Sequence, residues 1–256
     1  GARVEDALGR LGHEVLALAR PAACLPKNSP SQVTYVRGDL RQKGAWCDDI
    51  RTVDVVVHAA AATGGGFADQ FASTVVATEN LLDCLDWQSL RRFVLISSFS
   101  VYDYAGRRAR SAIDEAHPLE PDPSRRDAYT WTKMLQEELV IEACDKQSVP
   151  LVRIRPGAIY GPGKDWDAGA ALRLGRFDLV FSPRAKLRLT NVDNCADAVA
   201  AAVEAESAEG VFNVVDDDAP THAQFHRLCR QSGASARRSL YVPWWAVATS
   251  GLDVRL

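Results

Sequence analysis

The chain has 256 residues, 47% hydrophobic and 25% charged, long enough to bury a sizeable core as one large domain or two small ones without disulfides or a metal. Its net charge of −3, from 30 basic against 33 acidic side chains, argues against a nucleic-acid partner, which needs a concentrated basic face. No window reaches the roughly 18 apolar residues of a membrane span, so no membrane partner is expected.

Apolar spacing alternates between two periods. In chain order it predicts a helix over 4–11, strands over 14–19, 33–37 and 53–58, a helix over 71–85 and a strand over 93–97. A helix over 129–142, a strand over 151–155, a helix over 194–205, a strand over 211–214 and a helix over 223–231 follow. The strand segments are near-continuous apolar runs, as in parallel strands covered on both faces. Strand and helix in alternation predict an α/β fold with a doubly wound parallel sheet. Residues 105–127, rich in Arg, Pro, Asp and Glu, read as a surface loop. From 161 to 186 the alternation stops, and after Pro220 it turns mainly helical and aromatic, so a smaller lobe that closes over a ligand is expected there.

The segment Tyr129-Thr130-Trp131-Thr132-Lys133 carries the most chemistry. On a helix, positions four apart share a face, which sets the Lys133 ammonium near the Tyr129 phenol. A nearby cation favours the phenolate and lowers its pKa, so Tyr129 is expected to serve as general acid/base. Ser98 and Ser100 follow the 93–97 strand, at the sheet edge where α/β folds bind their ligands. An exposed helix pair would show the same Tyr-x-x-x-Lys spacing, so context must decide.

That context is a series of motifs in order: Gly12-His13-Glu14-Val15, Gly38-Asp39-Leu40, Val57-His58-Ala59-Ala60, Ser97-Ser98 with Val101-Tyr102, Tyr129 with Lys133, Arg155-Pro156 with Tyr160-Gly161-Pro162-Gly163, and Asn191-Val192-Asp193-Asn194. Together they resemble the extended short-chain dehydrogenase/reductase family, also called the NAD-dependent epimerase/dehydratase family, over nearly the whole chain. The resemblance implies a Rossmann-like dinucleotide-binding domain over 1–160 and a mainly substrate-binding lobe over 161–256, with 190–215 returning to the first domain. Catalytic roles fall on Ser98, which would hold the substrate oxygen, on Tyr129, the proton donor/acceptor, and on Lys133, which would also bind the nicotinamide ribose.

Cofactor contacts implied by the resemblance are Gly1, Arg20, Asp39, Leu40, Ala59, Ala60, Ala61, Tyr129, Lys133 and Pro156. Eleven residues before Gly12, Gly1 falls on the last glycine of the family's Gly-x-x-Gly-x-x-Gly turn, so the first strand and the other two glycines are expected to be missing, with truncation after Leu256 left open. Where NAD-binding relatives place an acid, the chain has Ala19 and then Arg20, which favours NADP over NAD. Small side chains at Ala59, Ala60 and Ala61 suit close approach to a cofactor, and equally suit a core.

Phe99 and Ser100 stand where dehydratases carry an acid pair, so expulsion of water is disfavoured. Ala158 and Thr74 replace asparagines frequent in nucleotide-sugar epimerases. Two enzymatic readings stay open: a net oxidoreductase interconverting a secondary alcohol and a ketone, and a nucleotide-sugar epimerase. Substrate contacts are expected at Ser98, Phe99, Ser100, Ala158 and Arg188. Charges at Asp165, Asp167, Arg173, Arg176, Arg184, Lys186 and Arg188 suit a diphosphate or a solvated face. A non-catalytic cofactor-binding protein is a third reading, disfavoured because Ser98, Tyr129 and Lys133 are all retained. The expected partner is a small molecule, a nucleotide sugar under the epimerase reading; family pairing through the Tyr129 helix implies a homodimer.

No metal is expected: His222, His226 and Cys229 share a helix face without an obvious fourth ligand. Six cysteines without a Cys-x-x-Cys pair predict reduced, mostly buried thiols, and with no basic-then-apolar leader a cytoplasmic protein. Gly64-Gly65-Gly66 reads as a ligand loop, and Tyr241 to Trp245 as aromatics covering a pocket.

Overall fold

The β-branched runs fold as parallel strands and the segments between them as helices, in a computed structural model that describes residues 1–26, 29–104, 113–162, 171–181, 183–233 and 238–242. Along the chain come α1 (Ala2–Arg10), β1 (Val15–Ala19), β2 (Val33–Arg37), α2 (Trp46–Asp49), β3 (Val55–His58), α3 (Phe67–Phe71), a π-turn (Ala72–Val76) and α4 (Ala77–Cys84). Next are β4 (Arg92–Ile96), α5 (Ala128–Gln147), β5 (Leu151–Pro156), β6 (Ala158–Tyr160), β7 (Ala171–Leu174), β8 (Phe177–Phe181) and β9 (Leu189–Asn191). The remainder is α6 (Val192–Glu204), β10 (Gly210–Val214), α7 (His222–Gln231) and β11 (Arg238–Val242). The chain divides into two units, one of residues 1–159 with 192–214, the other of 160–191 with 215–256.

In the first unit four parallel strands lie in the order β10-β5-β4-β3, and β1 pairs in parallel with β2. Strand β4 shows why its sequence is apolar throughout. Successive side chains point to opposite faces. Phe93 and Leu95 pack with Leu81, Val140 and Cys144 on one face, while Val94 packs with Val152, Val199 and Ala200 on the other. All three β4 side chains are fully buried, each contributing about 1.5–3 kcal/mol of apolar transfer energy. The doubly wound arrangement expected from the sequence is therefore present.

Among the described residues β1 pairs only with β2 and β3 only with β4. A cavity of about 990 Å³ is lined by Leu16, Ala17 and Leu18 of β1 and by Val55, Val56 and Val57 of β3. Five or six residues of strand, at ~3.3 Å each, ~4.8 Å from a neighbour and ~10 Å deep, occupy roughly 800 to 950 Å³. The slot has the dimensions of one further strand.

The second unit holds an antiparallel β7–β8 pair extended by β11 in parallel with β8, and the amphipathic α7. Its strands went unread because they are short and interrupted by charge, as in Phe177-Asp178-Leu179; the helical and aromatic character expected after Pro220 is thus corrected at β11. Residues 105–112 of the expected surface loop, Asp165, Asp167, and Trp244 and Trp245 lie outside the described residues. The expectation of reduced thiols is corrected too. Cys47 on α2 and Cys84 at the end of α4, 37 positions apart, form a disulfide because the fold lays these two helices side by side. Cys24 is an exposed free thiol, whereas Cys144 and Cys195 are buried.

Candidate active site

Strand β4 ends at Ile96, and the chain turns through Phe99–Val101, with the Ser98 hydroxyl accepting from the Ser100 amide at 3.1 Å. Helix α5 starts where the Asp127 carboxylate accepts the Thr130 amide at 2.7 Å, an N-cap that fixes Tyr129 in the first turn. The Ser98 hydroxyl lies close enough to the Tyr129 phenol to favour its ionised form. Two of the three expected catalytic side chains are therefore neighbours.

The electrostatics differ from the expectation. Burial pushes the Tyr129 phenol above its ordinary value, Ser98 pulls it down and Asp127 pushes it up. The expected acidification by Lys133 is corrected: its ammonium donates instead to the Ile96 carbonyl at 2.6 Å and to Gln136 Oε1. Lys133 is almost wholly buried, and burial lowers its pKa to about 7 against the favourable charge of Glu137. The site as folded holds a protonated phenol and an easily discharged ammonium.

Beneath Lys133 lies a network that sequence reading missed. The Gln136 amide donates to the Ala60 carbonyl at 3.1 Å and to Thr78 Oγ1 at 2.8 Å. Thr78 donates to the Thr74 carbonyl at 2.6 Å. His58 Nε2 lies 2.8 Å from the Thr78 hydroxyl and 3.0 Å from the Gln136 amide nitrogen. Burial and the Lys133 charge hold His58 neutral by lowering its pKa to about 3. The Thr74 hydroxyl in turn accepts the Ala62 amide at 3.1 Å, tying the π-turn to the segment after β3. The i,i+3 spacing of Lys133 and Gln136 was the one available signal.

Below this network Glu137 binds Arg155 in a two-pronged pair at 2.9 and 2.5 Å, both side chains buried. Burial opposes ionisation of Glu137, but Arg155 outweighs it and holds the carboxylate below its usual range. Arg155 also stacks on Tyr102, 4.8 Å from the ring centre, and the Tyr102 hydroxyl donates to Asn213 at 2.8 Å. The pair joins α5 to β5 directly under the catalytic turn.

Of the expected cofactor residues, Gly1, Leu40, Ala59 and Ala60 line the cavity between β1 and β3. Ala59 and Ala60 are exposed. Gly1 stands at the N-terminus of α1, its carbonyl accepting from Val4 and Glu5. Gly38 abuts Trp46: a Cβ there would lie 2.5 Å from the indole Cδ1. Asp39 is gripped by Arg41 at 2.6 Å, and Arg20 is exposed nearby, its charge lowering the Asp39 pKa after the larger effect of Arg41. Arg37, unread in the sequence, braces the turn after β1 by donating to the carbonyls of Arg20 and Ala23 at 2.9 and 2.7 Å. Ala61 is half-buried beyond Ala60, and Pro156 is buried at the end of β5.

Among the expected substrate contacts, Phe99 is buried against Tyr102 with its ring committed to packing, and the Ser100 hydroxyl is buried with no hydrogen-bond partner among the described residues. Ala158 is exposed in the first unit, and Arg188 is half-buried in the second. The glycine run is pinned to α3, Gly66 donating to Asp69 at 3.3 Å, with Gly65 at φ +92°. Tyr241 is exposed on β11. His226 faces Asp178 at 3.9 Å, and the described residues contain no group of three metal-ligand side chains. No helix among them is long and apolar enough to cross a membrane.

A parallel doubly wound sheet with Ser98 just past the end of β4 and Tyr129 and Lys133 on the following helix α5 defines a Rossmann-type dehydrogenase/reductase fold. The chain belongs to the NAD-dependent epimerase/dehydratase family, whose profile matches residues 1–214. It is 30% identical over 199 residues to the 2-alkyl-3-oxoalkanoate reductase of Stenotrophomonas maltophilia, covering 76% of this chain and 59% of that protein. It is 27% identical over 231 residues to human short-chain dehydrogenase/reductase family 42E member 1, covering 82% and 56%. The chain thus spans somewhat over half the length of these relatives. Among solved structures, the Thermus thermophilus UDP-glucose 4-epimerase complex with NAD superposes with a TM-score of 0.70 at 21% identity, covering 95% of this chain and 83% of that one. A UDP-N-acetylglucosamine 4-epimerase from Methanobrevibacter ruminantium gives 0.74 at 17% identity, with 95% and 81% covered. At these identities the likeness establishes the fold.

Proposed function

We propose that this chain carries the catalytic machinery of an NADP-linked oxidoreductase that reduces a ketone to a secondary alcohol, with Tyr129 as the proton donor. The carrying observation is the nearness of the Ser98 hydroxyl to the Tyr129 phenol, with a buried Lys133 one turn along the same helix. A phenol held above its ordinary pKa keeps its proton at neutral pH, the state needed to donate to a ketone oxygen. Ser98 would hold that oxygen against the phenol. The small side chains of Ala59 and Ala60, just past the end of β3, with Gly1 at the start of α1 and Leu40 after β2, fit a dinucleotide lying over these strand ends rather than in the slot between β1 and β3. Bound there, the nicotinamide supplies the hydride. Arg20 and Arg41, near Asp39, offer the positive charge that a 2′-phosphate requires and an acid would repel.

The nucleotide-sugar epimerase reading is supported by the solved structures, two of which are UDP-sugar 4-epimerases. The complete protein, assayed with a panel of ketones and UDP-sugars, separates the two: net reduction consumes reduced cofactor stoichiometrically, and epimerisation leaves its absorbance unchanged. Tyr129→Phe is expected to lower kcat roughly 100- to 10,000-fold while cofactor affinity is retained. Undiminished turnover in that variant would overturn the mechanism, and clear preference for NAD would overturn the assignment of NADP.

A further inference from the structure

We propose that Gln136 is a positioning residue for Lys133: its side-chain oxygen holds the ammonium, while its amide hydrogens anchor it to the Ala60 carbonyl and the Thr78 hydroxyl. This rests on the reading of Lys133 as the catalytic ammonium. Gln136 is fully buried and makes these contacts to three different elements of the fold. Its orientation is forced, because both amide hydrogens have acceptors on the far side and only the oxygen is left to face Lys133. The ammonium has two acceptors in the described structure, Ile96 O and Gln136 Oε1. A buried ammonium deprived of one of two acceptors favours its neutral form, since desolvation then goes uncompensated.

The same amide reaches the cavity-lining segment through Ala60, so Gln136 ties the charge on α5 to the backbone proposed to carry the cofactor. The charged and titratable groups acting with Lys133 are Glu137 on α5 and neutral His58 on β3, while Arg153 and Arg155 on β5 pair with Glu137. Glu137 is occupied by Arg155, which leaves Gln136 as the side chain in direct hydrogen-bond contact with the ammonium.

The test uses the complete protein with its lysine side chains carbon-13 labelled; residues 1–256 contain six lysines, and the Lys133 signal is assigned by its loss in Lys133→Met. Without cofactor, Gln136→Met keeps the shape and removes the acceptor, and the Lys133 titration midpoint is expected to fall by about one pH unit, a tenfold change in charge ratio. Gln136→Glu restores an acceptor and is expected to bring the midpoint back to the wild-type value or above. In turnover, the alkaline limb of the pH–kcat profile should move in the same directions. Midpoints unmoved in both variants, or lowered in both alike, would overturn the assignment, including where both variants merely lose thermal stability. If the midpoints move as stated but Tyr129→Phe turns over normally, the positioning role stands and the catalytic reading fails.

Discussion

His58 makes acidification the most informative perturbation. Its ring is almost wholly buried and lies 2.8 Å from the Thr78 hydroxyl and 3.0 Å from the Gln136 amide nitrogen. Burial lowers its pKa from 6.5 to about 3, so the folded state resists a proton that the unfolded chain accepts. Between those two values the unfolded state binds more protons, and stability must fall as pH drops through that window. Each pH unit well inside the window costs about 1.36 kcal/mol, so lowering pH from 7 to 5 removes about 2 kcal/mol. Glu137 adds nothing there, because its folded pKa lies below 4.5 and its stabilisation is lost only under more acidic conditions. Lys133 is protonated in both states below about 7 and cancels. Urea unfolding at both pH values, on wild type and His58→Asn, isolates the histidine: the wild type should lose about 2 kcal/mol more than the variant. Equal losses, or an imidazole resonance titrating near 6.5 in the folded protein, would refute the reasoning.

Other perturbations read different parts of the frame. Glu137→Ala strands the Arg155 guanidinium in the core and should cost about 3–5 kcal/mol in urea unfolding, whereas an exposed pair such as Arg51–Asp48 should cost under ~1 kcal/mol. Gly38→Ala drives a methyl group into the buried Trp46 ring, so a loss of about 1–3 kcal/mol is expected, along with weaker cofactor binding as Asp39 and Leu40 shift. Unchanged melting of that variant would show that the indole can move aside.

Much of the first unit was legible in the sequence. Strand 33–37 was read at its observed bounds, and the other five strands of the unit within about two residues, because buried parallel strands are unbroken apolar runs. The Tyr129–Lys133 helix extends further than its apolar pattern suggests, since its last turn is polar and ends at Ser148 in a left-handed cap. The helix expected over 71–85 is broken into α3, a π-turn and α4, a local change of hydrogen-bond register that apolar spacing does not encode. Arg37 and Gln136 were invisible as site residues because their partners are backbone carbonyls and side chains distant in sequence.

Sequence alone determined the fold class and the family and singled out Ser98, Tyr129 and Lys133 as candidates, since each depends on spacing along one strand or helix, or on the order of short motifs. Only tertiary structure decided where the charges settle. Whether the Lys133 ammonium lies against a phenol or against Ile96 and Gln136, and whether the phenol gains or loses acidity, is set by burial and by groups that meet from separate elements. The Cys47–Cys84 bond and the slot between β1 and β3 belong to the same category, because helix and strand adjacency is a property of the folded layers.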